Sequence, residues 1–241
     1  AKMMNGSADL TLTYVAGTTG TADVQNLSLS AVSAGTFTAN GLETVAVTNS
    51  LTANKLTNIA GSTLKAITVT GDQNFTMTGT NATATIDASA NTGKTSLVVS
   101  AAASGAGSTI TLGSGDDTLD VGTSLNVLDK IQGGAGTDTI KITAAGTING
   151  GAAVSATSEF LQSGGFEVID MASTADVATL NVKDIADVKT VKAAANALTV
   201  VLDANGSDTA KAANSTAIGF TLNGTALATA ATDSNGTSGE A

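Results

Sequence analysis

The chain has 241 residues, 42% hydrophobic but only 2% aromatic and 12% charged, with no His, Cys or Pro and a net charge of −10. Without His or Cys it has no Ser-His-Asp triad, no thiol nucleophile and no His/Cys zinc site. Its acidic balance, with lysine as the sole cationic residue type, disfavours nucleic acid and anionic membrane, which need basic surfaces.

Ala, Val, Leu and Ile supply most of the apolar share, against a background of Thr, Ser, Gly and Asn. Small and β-branched side chains suit thin, regularly stacked β layers. No apolar run reaches the roughly eighteen residues of a membrane span, so no transmembrane segment is expected. The start, Ala1-Lys2-Met3-Met4-Asn5, lacks the regions of a signal peptide. The tail from Asn223 is small and polar, and both ends are expected to be cuts through a larger polypeptide. The lack of cysteine fits the cytosol, and equally a protein exported unfolded that folds outside without disulfides.

Alternation with period two dominates, as in Leu10-Thr11-Leu12-Thr13, Val45-Ala46-Val47, Ile67-Thr68-Val69 and Ile110-Thr111-Leu112. Such runs, broken by Gly, Asn and Asp, predict strands and turns. Residues 1–60 form a first β-rich region, with loops at Gly17–Gly20 and Ala34-Gly35. Residues 61–148 are more regular. Strand centres fall at Ile67, Phe75, Ile86, Leu97, Ile110, Leu119, Ile131 and Ile140, at gaps of 8, 11, 11, 13, 9, 12 and 9 residues. That cadence leaves room for one strand and one turn each time, as in a parallel β-roll or β-solenoid. A sandwich would also place turns every 8–12 residues. Residues 149–241 form a third region, with strands near Val168–Met171, Leu180–Val182 and Leu198–Leu202. Ser158 to Gln162 is the best candidate for a single helical turn, ended by Gly164-Gly165. The expected class is all-β, a parallel solenoid with β-rich flanks and very little helix.

Two stretches echo each other. Gly41-Leu42-Glu43-Thr44-Val45 and Gly165-Phe166-Glu167-Val168-Ile169 both run Gly, large apolar, Glu, then strand. Either similar loops enter similar strands, or a structural unit is duplicated with Glu43 and Glu167 in matching places.

The chemically informative stretch is Leu112-Gly113-Ser114-Gly115-Asp116-Asp117-Thr118-Leu119, followed by Gly133-Gly134-Ala135-Gly136-Thr137-Asp138-Thr139-Ile140. The second is a full match to the nonapeptide G-G-x-G-x-D-x-U-x, with U apolar; the first departs at Leu112. Glycines let the backbone turn its carbonyls inward. The aspartate then adds a carboxylate, and hard oxygen ligands of this kind suit calcium. One turn supplies half a cage, so a second must stack over it.

The turns begin 21 residues apart, which is two nonapeptides plus three residues. Asp129-Lys130-Ile131 lies nine residues before Asp138-Thr139-Ile140, so residues 124–132 read as a degenerate nonapeptide on the opposite edge, with Val121-Gly122-Thr123 inserted. Asp117 and Asp138 are then expected on one edge, sharing an ion. Asp129 lies across the roll. Gly6-Ser7-Ala8-Asp9 and Gly206-Ser207-Asp208 are weaker echoes that read as ordinary turns.

Residues 112–141 resemble the RTX family, calcium-binding repeat proteins exported by type I secretion in Gram-negative bacteria. The Thr/Ala/Gly/Ser-rich strands and missing Cys are similar to those of its surface-layer (S-layer) branch. This resemblance implies a secreted, cell-surface protein that binds Ca2+ and assembles with itself into a two-dimensional lattice, with cell-surface polysaccharide as a candidate partner. It implies Asp117 and Asp138 as carboxylate ligands, and backbone carbonyls from Gly113, Ser114 and Gly115 and from Gly133, Gly134, Ala135 and Gly136. A piece of an RTX adhesin, or the non-catalytic repeat region of a secreted hydrolase, is the alternative. No catalytic residues are expected.

Other motifs are set aside. Ala88-Ser89-Ala90-Asn91-Thr92-Gly93-Lys94-Thr95 fits the loosest form of a phosphate loop, but a strand and not a helix is expected after it. Sequons such as Asn26-Leu27-Ser28 are expected by chance in so Asn- and Thr-rich a chain. Asp184 and Asp187, interleaved with Lys183 and Lys189, read as a solvated strand face.

Overall fold

The computed structural model describes residues 1–13, 20–81, 83–99, 107–122, 129–143, 164–171, 179–181, 188–193, 199–201, 219–222 and 225–227. The helical turn expected at Ser158–Gln162, the Gly206-Ser207-Asp208 echo and the Asp184/Asp187 face lie outside them. Among the described residues every regular element is a strand.

In chain order these are β1 (Lys2–Gly6), β2 (Leu10–Thr13), β3 (Val24–Val32), β4 (Thr36–Asn40), β5 (Thr44–Ser50), β6 (Asn54–Leu56) and β7 (Asn58–Ala60). Next come β8 (Ala66–Gly71), β9 (Phe75–Asn81), β10 (Thr85–Asn91), β11 (Thr95–Val99), β12 (Thr109–Thr111), β13 (Thr118–Asp120), β14 (Lys130–Gln132) and β15 (Thr139–Lys141). The last six are β16 (Val168–Met171), β17 (Thr179–Asn181), β18 (Thr190–Ala193), β19 (Thr199–Val201), β20 (Gly219–Leu222) and β21 (Thr225–Leu227).

One seven-stranded sheet runs β1-β3-β5-β8-β10-β12-β14, and a nine-stranded sheet runs β21-β20-β18-β16-β15-β13-β11-β9-β6. Smaller sheets pair β2-β4-β7 and β17-β19. Neighbours in the seven-stranded sheet pair in parallel, as do those of the larger sheet up to the antiparallel β20–β21 pair. Parallel pairing of successive coils is a β-solenoid. A meandering sandwich would have paired them antiparallel through tight hairpins. The ladders run without a break past residue 60, where β5 pairs with β8 and β6 with β9, and past residue 148, where β15 pairs with β16.

The regular strand centres of residues 61–148 alternate between the two large sheets. Ile67, Ile86, Ile110 and Ile131 stack in one, in register with Val45 below them. Leu97, Leu119, Ile140, Ile169 and Val191 stack in the other. All are buried. Burying each such side chain contributes about 1.5–3 kcal/mol, and one continuous core runs from Met3 to Val191. Strands of three to nine residues turn only a few side chains apiece inward, so β-branched and Leu residues fill the interior with little need for aromatic bulk.

Candidate functional site

At one corner of the solenoid the chain crosses from the seven-stranded to the nine-stranded sheet, and successive turns stack there. The turn at 112–117 joins β12 to β13, and that at 133–138 joins β14 to β15. The stack continues to Gly164, which bridges Gln132 just before β16. Ala135 donates its N–H to the Gly113 carbonyl at 3.0 Å, and Gly133 to that of Gly164 at 3.0 Å.

This stacking explains the glycines. Gly134 and Gly136 hold positive φ of 102° and 128°. A Cβ on either would strike the carbonyl of Gly113 or Gly115, its counterpart one coil earlier. Conformation and close approach both demand glycine here.

Asp117 and Asp138, each immediately before a strand, stack in adjacent coils and are buried. Their carboxylates are closed differently. Asp117 Oδ1 accepts the Thr95 N–H at 2.6 Å, and Oδ2 accepts the Gly113 N–H of its own turn at 2.8 Å. Asp138 Oδ1 accepts the Asp117 N–H at 2.8 Å, while its Oδ2 is buried without a partner. The second turn has Gly134, at positive φ, where the first has Gly113, and no N–H from it reaches the carboxylate. Glu167 continues the series: its Oε2 accepts the Asp138 N–H at 2.8 Å. Asp129 lies across the solenoid, just before β14 of the other sheet, where it accepts the Ser108 N–H at 2.7 Å. Ser114 and Ala135 stand at the exposed tips of their turns.

Burial raises the pKa of Asp117, opposed by the N–H groups of Thr95 and Gly113 and by the charge of Lys94. Asp138 is pushed further, to about 6, first by burial and then by repulsion from Asp117, Glu167 and Asp116; the Asp117 N–H is what pulls the other way. A carboxylate with an empty buried oxygen and acidic neighbours favours a proton or a cation.

Glu167 was visible in the sequence only through its echo with Glu43, and the two do occupy matching places. Both follow a glycine at positive φ and a buried apolar residue, Leu42 or Phe166. Glu43 Oε2 accepts the Asp23 N–H at 3.0 Å, as Glu167 accepts that of Asp138. The Glu43 carbonyl takes the N–H groups of Lys65 and Ala66, and the Glu167 carbonyl those of Lys189 and Thr190. The two units enter different sheets with the same local hydrogen bonding.

Upstream along the corner the closing groups are amides, which no motif in the sequence marks. Asn49, Asn54 and Asn91 are buried. Asn54 Nδ2 donates to Asn49 Oδ1 at 2.7 Å, Asn49 Nδ2 to Asn91 Oδ1 at 3.4 Å, and Asn91 Nδ2 to Thr95 Oγ1 at 3.1 Å. Gly93-Lys94-Thr95 lies within this corner and leads into strand β11, the context expected from the sequence and one without a phosphate-binding helix.

The donors at 112–138 are carboxylate and carbonyl oxygens, the class calcium takes. Asp138 Oδ2 fits such an ion, being buried and lacking a donor. Asp117 has both oxygens on N–H groups. Among the described residues no three acidic side chains converge on one point, so backbone carbonyls would supply most of a coordination sphere. No protein-family model matches the chain, and neither a curated protein nor a solved structure does.

Proposed function

We propose that this chain is a non-catalytic structural segment whose solenoid is fastened by calcium at the carboxylate corner, serving as a subunit of an extracellular, surface-layer-like array. The observation that carries the reading is the buried Asp138 oxygen without a partner, set in stacked glycine turns among like charges. Asp138 and the carbonyls of Gly113, Ser114, Gly115, Gly133, Gly134, Ala135 and Gly136 are the candidate donors, with Asp117 alongside. Bound Ca2+ supplies positive charge that offsets repulsion among Asp116, Asp117, Asp138 and Glu167. Where calcium is scarce these groups oppose closure of the turns, and the chain stays loose enough to export. Calcium at a hundredfold over Kd stabilises the folded state by about 2.7 kcal/mol, comparable to one buried isoleucine. A Kd of about 0.1–1 mM, usual for extracellular modules, would suit a switch of this kind.

The test is to add and chelate calcium while following β-sheet circular dichroism and particle size, with electron microscopy of the calcium-loaded sample. Gain of sheet signal and ordered two-dimensional assemblies are expected. Elongated monomers would instead favour an adhesin segment. If sheet content and particle size both ignore the metal, the reading is wrong.

A further inference from the structure

Among the described residues two buried side-chain atoms have no hydrogen-bond partner, Asp23 Oδ2 and Asp138 Oδ2. Each belongs to an aspartate just before a strand, whose own N–H is taken by the glutamate of a Gly-apolar-Glu unit one coil later. Asp117 shares the glycine-rich nonapeptide with Asp138 but is followed one coil later by an aspartate, and its carboxylate is fully engaged. The unfilled oxygen thus goes with the Asp–Glu step and not with the nonapeptide.

The surroundings of Asp138 point the same way. A Cβ on Gly133 would stand 2.8 Å from Asp138 Oδ2 and would overlap the Gly165 carbonyl oxygen. Two oxygens, one from each of two successive turns, therefore converge on the place left by the missing side chain. Glu167 brings a second carboxylate to that step. Asp138 itself is fully buried, and the charges acting on it, from Asp117, Glu167 and Asp116, are all negative.

Granted the calcium dependence proposed above, we infer that a divalent cation of the calcium class sits between the 133–138 turn and the 164–167 turn, held by Asp138 Oδ2 and the Gly165 carbonyl with Glu167 beside them, rather than between Asp117 and Asp138. Buried and donor-free, Asp138 Oδ2 is the oxygen that gains most from the ion, whereas Asp117 already has two N–H donors. The Asp23–Glu43 step repeats the pattern in a less buried setting.

The experiment is calorimetric titration of the full 241-residue chain with CaCl2, alongside thermal melts with CaCl2 and with EDTA, for the parent, Asp138→Asn, Glu167→Gln and Asp117→Asn. Asp138→Asn should weaken the site by about a hundredfold or more, since the ligand's charge is lost. Glu167→Gln should weaken it by about tenfold. Its amide oxygen can still accept the Asp138 N–H, so this variant gives the answer even if Asp138→Asn folds poorly. Asp117→Asn, compared at a temperature where it is folded, should weaken binding less than Glu167→Gln does, since it removes a neighbouring charge whose two oxygens are already on N–H groups. Loss of binding in Asp117→Asn with Glu167→Gln unchanged would overturn this placement and leave the calcium function standing. Absence of calcium binding by the parent would overturn the function itself.

Discussion

One corner of this solenoid is closed in two chemical ways. From Asn49 to Thr95 the buried closing groups are amides and a hydroxyl; from Asp117 through Asp138 to the half-buried Glu167 they are carboxylates. An amide both donates and accepts, so Asn54, Asn49 and Asn91 satisfy one another along the solenoid axis. A carboxylate only accepts. Each acid must therefore take a backbone N–H from the coil before it, and the charges stack at about the strand spacing of 4.7–4.9 Å. Like charges at such separations repel by roughly 3 kcal/mol at an effective dielectric of 20. The amide stretch is complete by itself, and the acidic stretch calls for a proton or a cation.

The comparison breaks most visibly if the amide stretch is made acidic. Asn54 Nδ2 donates to Asn49 Oδ1, to the Ser50 carbonyl at 3.3 Å and to the Thr52 carbonyl at 2.7 Å. Asn54→Asp sets a buried charge against those oxygens and should lose about 3–5 kcal/mol of stability in urea unfolding. A parent-like midpoint would mean the amide ladder contributes little.

The reverse change separates the two glycine turns. Asp117→Asn turns an NH2 group toward one of two N–H donors and should lose about 1–3 kcal/mol in EDTA, measured by urea unfolding. Asp138→Asn can keep its oxygen on the Asp117 N–H and place NH2 where no donor points. It should match or exceed the parent in EDTA. Equal losses in both variants would contradict the difference in closure.

A further effect is on pH dependence. Asp138 is held at about 6 against an ordinary 3.8, so the folded state binds its proton more tightly than the unfolded chain does. Between those values the native state carries more protons, and stability falls as pH rises. The contribution is fully present below about pH 4 and gone above about pH 6. Urea midpoints of the calcium-free parent should therefore decline across this window relative to Asp138→Asn. Parallel profiles would show that Asp138 titrates normally.

Much of this was legible in the chain itself. The strand centres from Ile67 to Ile140 and the 21-residue offset between the turns follow from side-chain alternation and turn chemistry, both local properties. So does the placing of Asp129 opposite Asp117 and Asp138, since each half-coil carries the chain to the other sheet. The amide ladder was hidden because buried Asn49, Asn54 and Asn91 look like any turn asparagines until their coils are superimposed. Glu167 stood out only as an echo of Glu43, and the echo said nothing about which N–H either would take.

Length, composition and periodicity by themselves determined an all-β chain of short strands with a helix-poor, aromatic-poor core, because strand formation depends on neighbouring residues and on the period of two. Only the tertiary structure decided that the pairing is parallel, that both ladders run past residue 60 and that the nine-stranded one runs on past residue 148. It alone decided that Asp117 is closed while Asp138 keeps an empty oxygen. Those outcomes depend on contacts between residues about twenty to thirty positions apart, whose hydrogen bonds exist only once one coil lies upon the next.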